Sequence, residues 1–269
     1  MIAKRRHAAA WAALALAAGL RLCAAADDHT LQEIQKYRQM LQEGNPAELS
    51  ELRGEELWTS PRGPNNATLE RCDLGLGPGQ LKGAYARLPR YFEDAGKVQD
   101  AESRLVHCMM TIQGMTREQA TRDWYRASSD IEALITYLAA QSKGEKIDAP
   151  LSHPEEARMY STGRELFFRR SGPLDFGCSS CHSLEGRRIR LQELPDFIER
   201  RSAERFMAQW PAYRVSQGAV WTMERRLIDC FRQMRWPEPD YLSDAIVALE
   251  VYLQRQARGA VMEAPGIKR

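Results

Sequence analysis

Five consecutive residues, Cys178-Ser179-Ser180-Cys181-His182, carry the clearest chemistry in the sequence. Two thiols separated by two residues and followed at once by an imidazole form the C-x-x-C-H pattern of c-type haem attachment. Each thiol can add across one haem vinyl group, and the histidine is then placed to bind the iron. A redox Cys-x-x-Cys pair needs no such histidine, and a zinc site needs further ligands, for which only His153 and the distant Cys230 are available. The pattern predicts one covalent haem c on Cys178 and Cys181, with His182 as an axial ligand.

The N-terminus has the pattern of a secretory signal peptide. Lys4, Arg5 and Arg6 precede an apolar stretch at 8–20 that is too short to span a bilayer comfortably. Small residues at 24–26 then resemble a cleavage site, so residues 1–26 are predicted to be removed. Their loss takes away four basic residues and changes the formal charge from +2 to −2, so nothing indicates nucleic acid as a partner. No later stretch has the length and apolarity of a membrane span.

Cleavage would leave five cysteines in an exported protein, where free thiols are uncommon. Haem would use Cys178 and Cys181, and three thiols would remain: Cys72, Cys108 and Cys230. An odd number means that one is a free, reactive thiol or pairs outside the chain.

The hydrophobic pattern predicts an all-α protein made of two similar halves. Amphipathic helices are expected at 28–45, within 116–142 (capped at Ser129 or Asp130), at 155–169 and after Ser243. Tyr137-Leu138 and Tyr252-Leu253 end similar helices, and each follows a cysteine, Cys108 or Cys230. The repeated order of features predicts two cytochrome-c-like domains, at 27–150 and 151–269.

The first half lacks a haem motif. Residues 69–73, Leu-Glu-Arg-Cys-Asp, stand where C-x-x-C-H would stand, so Leu69 replaces the first cysteine and Asp73 the histidine. Cys72 and Cys108 are then free to form a disulfide, whose closed loop would stabilise the chain by ~3–4 kcal/mol.

The second axial ligand of the iron is open from the residues alone. Met207, Met223 and Met234 qualify by position, as does His153. Cys230 is distinguished by its setting among Arg225, Arg226, Arg232 and Arg235, which would favour the thiolate and attract a small dianion. Arg226 precedes it by four residues and would share its face of a helix.

The chain resembles the SoxA family of cytochromes of the thiosulfate-oxidising Sox system over nearly all of the mature sequence. The motifs that carry the resemblance are residues 71–79 (RCDLGLGPG), 88–92 (LPRYF), 177–182 (GCSSCH) and 226–230 (RLIDC). Because only one C-x-x-C-H is present, it resembles the monohaem members, in which a disulfide replaces the first haem.

The resemblance implies an L-cysteine S-thiosulfotransferase subunit of the periplasm that joins thiosulfate oxidatively to a cysteine of a carrier. It implies that Cys230 is both the distal iron ligand and the cysteine that carries sulfur as a persulfide, and that Arg226 binds substrate. The implied partners are a SoxX-like cytochrome c, forming a heterodimer, and a SoxYZ-like sulfur carrier. Two alternatives stay open: a plain electron-transfer cytochrome with Met223 or Met234 on the iron, and a non-catalytic scaffold for the partner.

Overall fold

The computed structural model describes residues 44–124, 129–189 and 192–268, together with positions 29, 32, 33, 36, 37 and 40. Contacts divide the chain into two units, Met1–Asn45 and Pro46–Arg269. In the first unit the six single positions are helical and exposed, as expected for a helix at 28–45. The predicted signal peptide and the apolar positions Leu31, Ile34 and Leu41 lie outside the described residues.

Helices dominate the second unit. They are α1 (Ala47–Thr59), α2 (Ala101–Thr111), α3 (Arg117–Ala120), α4 (Asp130–Ala140), α5 (Pro154–Phe168), α6 (Cys178–His182), α7 (Arg200–Met207), α8 (Met223–Gln233) and α9 (Asp244–Gln256). Two short 3₁₀ turns, Tyr85–Arg87 and Val215–Gln217, connect them. Ser129 caps α4 as predicted, accepting a hydrogen bond from the Glu132 amide at 3.2 Å. Ser243 precedes α9 but makes no side-chain cap bond.

Two helix crossings shape this unit, and each depends on a glycine. Gly54 on α1 lies against α4, where an added Cβ would be 2.1 Å from the Ala133 carbonyl oxygen. Gly163 on α5 lies against α9, where a Cβ would be 1.9 Å from the Ala248 carbonyl oxygen. Because no side chain fits there, the backbones approach closely, and the tyrosines Tyr137 and Tyr252 cover the two glycines in the same way.

Short strands supplement the helices, so the prediction of an all-α class was only partly right. β1 (Arg90–Phe92) pairs antiparallel with β2 (Lys97–Gln99), and β3 (Arg188–Ile189) pairs with β4 (Gln192–Glu193). β5 (Ala212–Arg214) lies between antiparallel β6 (Ala219–Trp221) and parallel β7 (Gly266–Lys268). Strands of two or three residues are too short to produce a readable alternation of polar and apolar positions.

A hairpin followed by a helix occurs twice at a constant separation. Each residue of β1, β2 and α2 has its counterpart 122 positions later in β5, β6 and α8. The strand registers agree, with Phe92 opposite Lys97 and Arg214 opposite Ala219. Both helices begin after an N-cap whose side chain accepts a backbone hydrogen bond, Asp100 in one and Thr222 in the other. The repeat places Cys108 and Cys230 at the same position of their helices.

Candidate functional site

The predicted haem-binding residues line one pocket of the second half, with an empty volume of about 710 Å³. Cys178, Cys181 and His182 come from α6, while Arg226 and Cys230 come from α8. The remaining wall is largely apolar and is made of Phe167, Ile189, Phe197, Phe206, Met223, Leu227, Met234, Leu249 and Leu253, with Gly177 and Gln233.

Local geometry fixes the start of α6. A Cβ on Gly177 would be 2.2 Å from the Arg169 carbonyl oxygen, so the chain can pass there only as glycine. The Gly177 amide donates to Ser180 Oγ at 3.0 Å, which satisfies one free donor at the helix start. One turn of helix then places Cys178 and Cys181 on the same side, where both thiols reach the pocket.

His182 is held as a neutral imidazole. Its Nδ1 donates to the Pro195 carbonyl oxygen at 2.8 Å, so Nε2 keeps its lone pair. Burial of the ring lowers the pKa of His182 to about 4, and the Pro195 hydrogen bond only partly opposes that shift. At neutral pH the side chain therefore has the protonation state that a metal ligand requires.

These residues fit a covalently attached haem. The two thiols lie one helical turn apart and supply the attachment points, and the neutral imidazole beside them supplies an iron ligand. The apolar wall matches the apolar faces of a haem. Cys178, Cys181 and Cys230 are the free thiols of the described chain.

Cys230 and Arg226 lie one turn apart on α8, as predicted. Arg226 is largely buried and donates from Nη1 to Asp229 Oδ2 at 2.9 Å. Burial raises the pKa of the Cys230 thiol, and the neighbouring Arg226 guanidinium lowers it by less. The arginines therefore favour the thiolate, as expected, but desolvation of the thiol opposes them and has the larger effect.

The set of arginines around Cys230 differs from the predicted one. Arg232 pairs with Glu238 at 3.1 Å and Arg235 is exposed, whereas Arg225 lies over the Trp221 ring. Arg214, at the end of β5, acts electrostatically on Cys230 and was missed. Arg214 was not predicted because it is far from Cys230 in the sequence. Its position in the repeated hairpin could have identified it.

The pocket removes two of the four alternative iron ligands. Met223 and Met234 line it, but Met207 is not in its wall. His153 instead caps α5, accepting at Nδ1 from the Glu155 amide at 3.2 Å, and stacks on Tyr91 with ring centroids 3.7 Å apart. Cys230, Met223 and Met234 therefore remain as candidates by position.

The first half fills the corresponding space with its own side chains. Cys72 and Cys108 form a disulfide, and Leu69 is fully buried at the position of the missing first cysteine. Asp73, at the histidine position, accepts hydrogen bonds from the amides of Gly75 and Gly77 at 2.7 and 2.9 Å. Leu69 has no thiol for attachment, and the Asp73 carboxylate is engaged by two backbone amides of its own loop.

The fold and pocket together define a cytochrome-c-like protein with a free thiol at the candidate iron site. The sequence matches the family model described as SoxA/TsdA, cytochrome c domain, over residues 53–147 and 162–262. The chain therefore belongs to the SoxA/TsdA cytochrome c family, as its motifs indicated.

Several relatives carry the name L-cysteine S-thiosulfotransferase subunit SoxA. The protein of that name from Hydrogenophilus thermoluteolus is 50% identical over 250 residues, covering 91% of this chain and 92% of its own. One from Hydrogenobacter thermophilus is 34% identical, covering 90% and 92%. The crystal structure of SoxXA from P. pantotrophus superposes with a TM-score of 0.73 at 24% identity, covering 87% of this chain and 84% of that one, which shows the shared fold.

Proposed function

We propose that this chain is the haem-bearing subunit of an L-cysteine S-thiosulfotransferase. The observation that carries the proposal is the free thiol of Cys230, which shares one pocket with the C-x-x-C-H motif and with the Arg226 guanidinium. Such a reaction needs three parts: a nucleophilic sulfur, a guanidinium that binds an oxyanion, and a redox cofactor. The relatives' name describes that reaction.

In the proposed chemistry, Arg226 binds the sulfonate end of thiosulfate and directs its terminal sulfur at Cys230 Sγ. An S–S bond forms between Cys230 Sγ and that terminal sulfur, giving Cys230–Sγ–S–SO₃⁻, and two electrons and one proton are released. The thiolate of a carrier cysteine then attacks the sulfane sulfur, and Cys230 leaves as thiolate. The carrier ends with a cysteine S-thiosulfonate, and the charges balance at each step.

When bound, haem c would accept these electrons one at a time and pass them on to the partner cytochrome. We propose one covalent haem, attached at Cys178 and Cys181, with His182 and Cys230 as the axial residues. The neutral tautomer of His182 and the place of Cys230 in the pocket wall support this assignment.

The remaining assignments follow the family. A SoxX-like cytochrome c is the proposed heterodimer partner that takes the electrons onward, and a SoxYZ-like protein is the carrier, both in the periplasm. The described part of the chain contains no helix long and apolar enough to cross a membrane. The paired helix crossings and the repeated hairpins support two cytochrome-c-like domains, 27–150 and 151–269.

A second candidate function is electron transfer without sulfur chemistry. It is favoured by one specific observation, because the thioether side chains of Met223 and Met234 also line the pocket. Either methionine would complete an ordinary His–Met electron carrier.

Replacement of Cys230 by methionine separates the two functions. In a sulfur relay, Cys230→Met abolishes thiosulfate-dependent reduction of cytochrome c, measured with partner and carrier present, although the intact mass still shows one haem. In a plain electron carrier with Met223 or Met234 on the iron, the variant keeps both the wild-type rate and the wild-type haem absorption. An intact mass with two haems would contradict the single attachment site.

A further inference from the structure

The guanidinium of Arg214 lies near the candidate site and has few polar partners. Its Nε is buried without a hydrogen-bond partner, and within the described part of the chain it makes no ion pair. Its described contact is with the Trp221 ring, whose centroid lies 5.6 Å from Arg214 Cζ. A buried donor without a partner costs free energy, so its presence needs an explanation.

The surroundings of Arg214 are those of the reaction site. The charges of Arg226, Asp229 and Cys230 all act on it, and burial together with Arg226 lowers the pKa of its guanidinium. Arg226 has one carboxylate partner, Asp229, which also accepts from Gln233 Nε2 at 2.7 Å. Asp229 is therefore the one carboxylate that acts on both arginines, and it pairs with Arg226 and not with Arg214, so positive charge is left unneutralised next to the thiol.

The internal repeat shows how the same position is used where there is no reaction site. Arg104 and Phe92 are the counterparts of Arg226 and Arg214, each 122 positions earlier. Arg104 Cζ lies 3.9 Å from the centroid of the Phe92 ring, and its nitrogens donate to Asp73 O at 2.6 Å and Asp94 Oδ1 at 2.8 Å. The first half thus satisfies its arginine with a ring, a carbonyl and a carboxylate.

In the second half, a second cation stands where the first half has the aromatic ring. A like-charge neighbour destabilises a buried guanidinium, whereas a ring face stabilises it. This exchange is unfavourable for the empty protein and becomes favourable when a doubly charged anion lies between the two arginines.

We propose that Arg214 is a second substrate-binding arginine, which with Arg226 forms a paired site for the thiosulfate dianion beside Cys230. Arg226 is held by Asp229, so Arg214 contributes the additional charge that distinguishes a dianion from a monoanion. The inference rests on the proposed function and adds to it the charge selectivity of the site.

Three variants of the full-length holoprotein test this role. Arg214→Gln removes the charge, Arg214→Lys restores it without the planar fork, and Arg214→Phe recreates the pairing of the first half. Arg200→Gln serves as the control, because Arg200 is an exposed arginine paired with Glu204. With partner and carrier present, Arg214→Gln should raise KM for thiosulfate about tenfold, equivalent to one charge-assisted contact, with kcat little changed. Arg214→Lys should recover part of the loss, and Arg200→Gln should behave as wild type.

Charge selectivity provides the readout that a merely structural role would not change. Sulfate and methanesulfonate share a tetrahedral sulfonate but differ by one charge, so their inhibition constants can be compared. Arg214→Gln and Arg214→Phe should weaken sulfate inhibition much more than methanesulfonate inhibition, while Arg214→Phe keeps the wild-type melting temperature. Equal weakening of both anions, or an unchanged KM in Arg214→Gln, would overturn the proposal and leave the proposed function standing.

Calorimetric titration of the resting protein with sodium sulfate decides the same question without turnover. Wild-type protein should bind sulfate at least several-fold more tightly than Arg214→Gln. If wild-type protein failed to transfer thiosulfate but still bound sulfate through Arg214, the proposed function would fail and the paired anion site would stand. Equal sulfate affinity in the two proteins would refute the paired site.

Discussion

At the scale of single residues, the two halves use the same Arg-x-x-x-Cys spacing for different purposes. In the first half, Arg104 is a buried structural cation and Cys108 is closed into a disulfide. In the second half, Arg226 and Cys230 face a pocket and the thiol stays free. The partners decide the role of each arginine. Arg104 contacts the Phe92 ring, the Asp94 carboxylate and the Asp73 carbonyl, whereas Arg226 pairs with Asp229, which also accepts from Gln233.

Replacement of Arg226 by lysine should therefore affect substrate binding, whereas replacement of Arg104 by lysine should affect stability. Arg226→Lys keeps the charge but loses the planar fork, so we expect thiosulfate use to weaken by ~1–3 kcal/mol, seen in KM, with little change in melting temperature. Arg104→Lys should lower the free energy of unfolding by about 1–3 kcal/mol, because the buried lysine cannot donate to the Asp73 carbonyl and the Asp94 carboxylate in the way that the guanidinium does. Its KM should stay at the wild-type value.

Steady-state kinetics and thermal unfolding on the same two preparations measure both effects. An Arg104→Lys variant with a raised KM for thiosulfate would contradict the division into a structural and a binding arginine.

At the scale of elements, the pocket depends on how closely α5 and α9 cross. Gly163 permits the approach, while Phe167 of α5 and Leu249 and Leu253 of α9 form part of the pocket wall. The equivalent crossing of α1 and α4 at Gly54 contributes no residue to the wall of this pocket. The two glycines have the same packing role and differ in what lies beside them.

Adding a single methyl group at each crossing should expose that difference. Gly163→Ala and Gly54→Ala should each destabilise the protein by about 1–3 kcal/mol, since a Cβ would overlap a carbonyl of the facing helix. Only Gly163→Ala should also shift the haem absorption, because only that crossing supports the pocket.

Ser161→Ala, an exposed change on α5, is the matched control and should alter neither property. A Gly54→Ala variant with the same spectral shift as Gly163→Ala would show that the pocket senses the whole unit and not the local crossing.

At the scale of the whole molecule, buried carboxyls from both halves meet. Asp100 and Glu102 start α2, Glu224 starts α8, and the oxygens of these three lie within 4.8 Å of one another. Glu250 of α9 acts on them electrostatically. Burial raises the pKa of Glu102 to about 8, with Asp100 adding to the shift, and burial likewise raises the pKa of Glu224 and Glu250. With these raised pKa values, Glu102, Glu224 and Glu250 are protonated at neutral pH.

Stability should therefore decrease as the pH rises from about 4.5 to about 8. The folded state binds more protons than the unfolded state, whose glutamates titrate near 4.5. The stabilisation is fully present below that value and is lost as pH rises through the folded pKa, about 8 for Glu102. Denaturant unfolding between pH 5 and pH 9 should show a decline of up to about 1.4 kcal/mol per pH unit for each carboxyl that titrates.

Replacement of Glu102 by glutamine removes one of these protons while keeping size and polarity. The Glu102→Gln variant should lose stability less steeply with pH than wild type does. Parallel wild-type and variant profiles would contradict a protonated Glu102 at the junction.

The sequence by itself determined the local chemistry of the protein. C-x-x-C-H within one helical turn predicts haem attachment from residues that are neighbours in the chain, and Ser129 and the helical period predicted α4 and its cap. The family followed from short motifs for the same reason. The pairing of Cys72 with Cys108 could also be predicted, because free thiols are uncommon in exported proteins and the first half lacks the haem motif that would otherwise use a cysteine.

Only the tertiary structure decided what depends on residues distant in the chain. It rejected His153 and Met207 as iron ligands, because their places in an N-cap and in the core are set by packing. It brought Arg214 close enough to act electrostatically on Cys230, through a hairpin whose strands are too short to predict from sequence. It also left Cys230 partly buried, so that desolvation outweighs Arg226 in setting the thiol pKa. Burial and charge proximity are sums over the whole fold, so no local pattern of residues contains them.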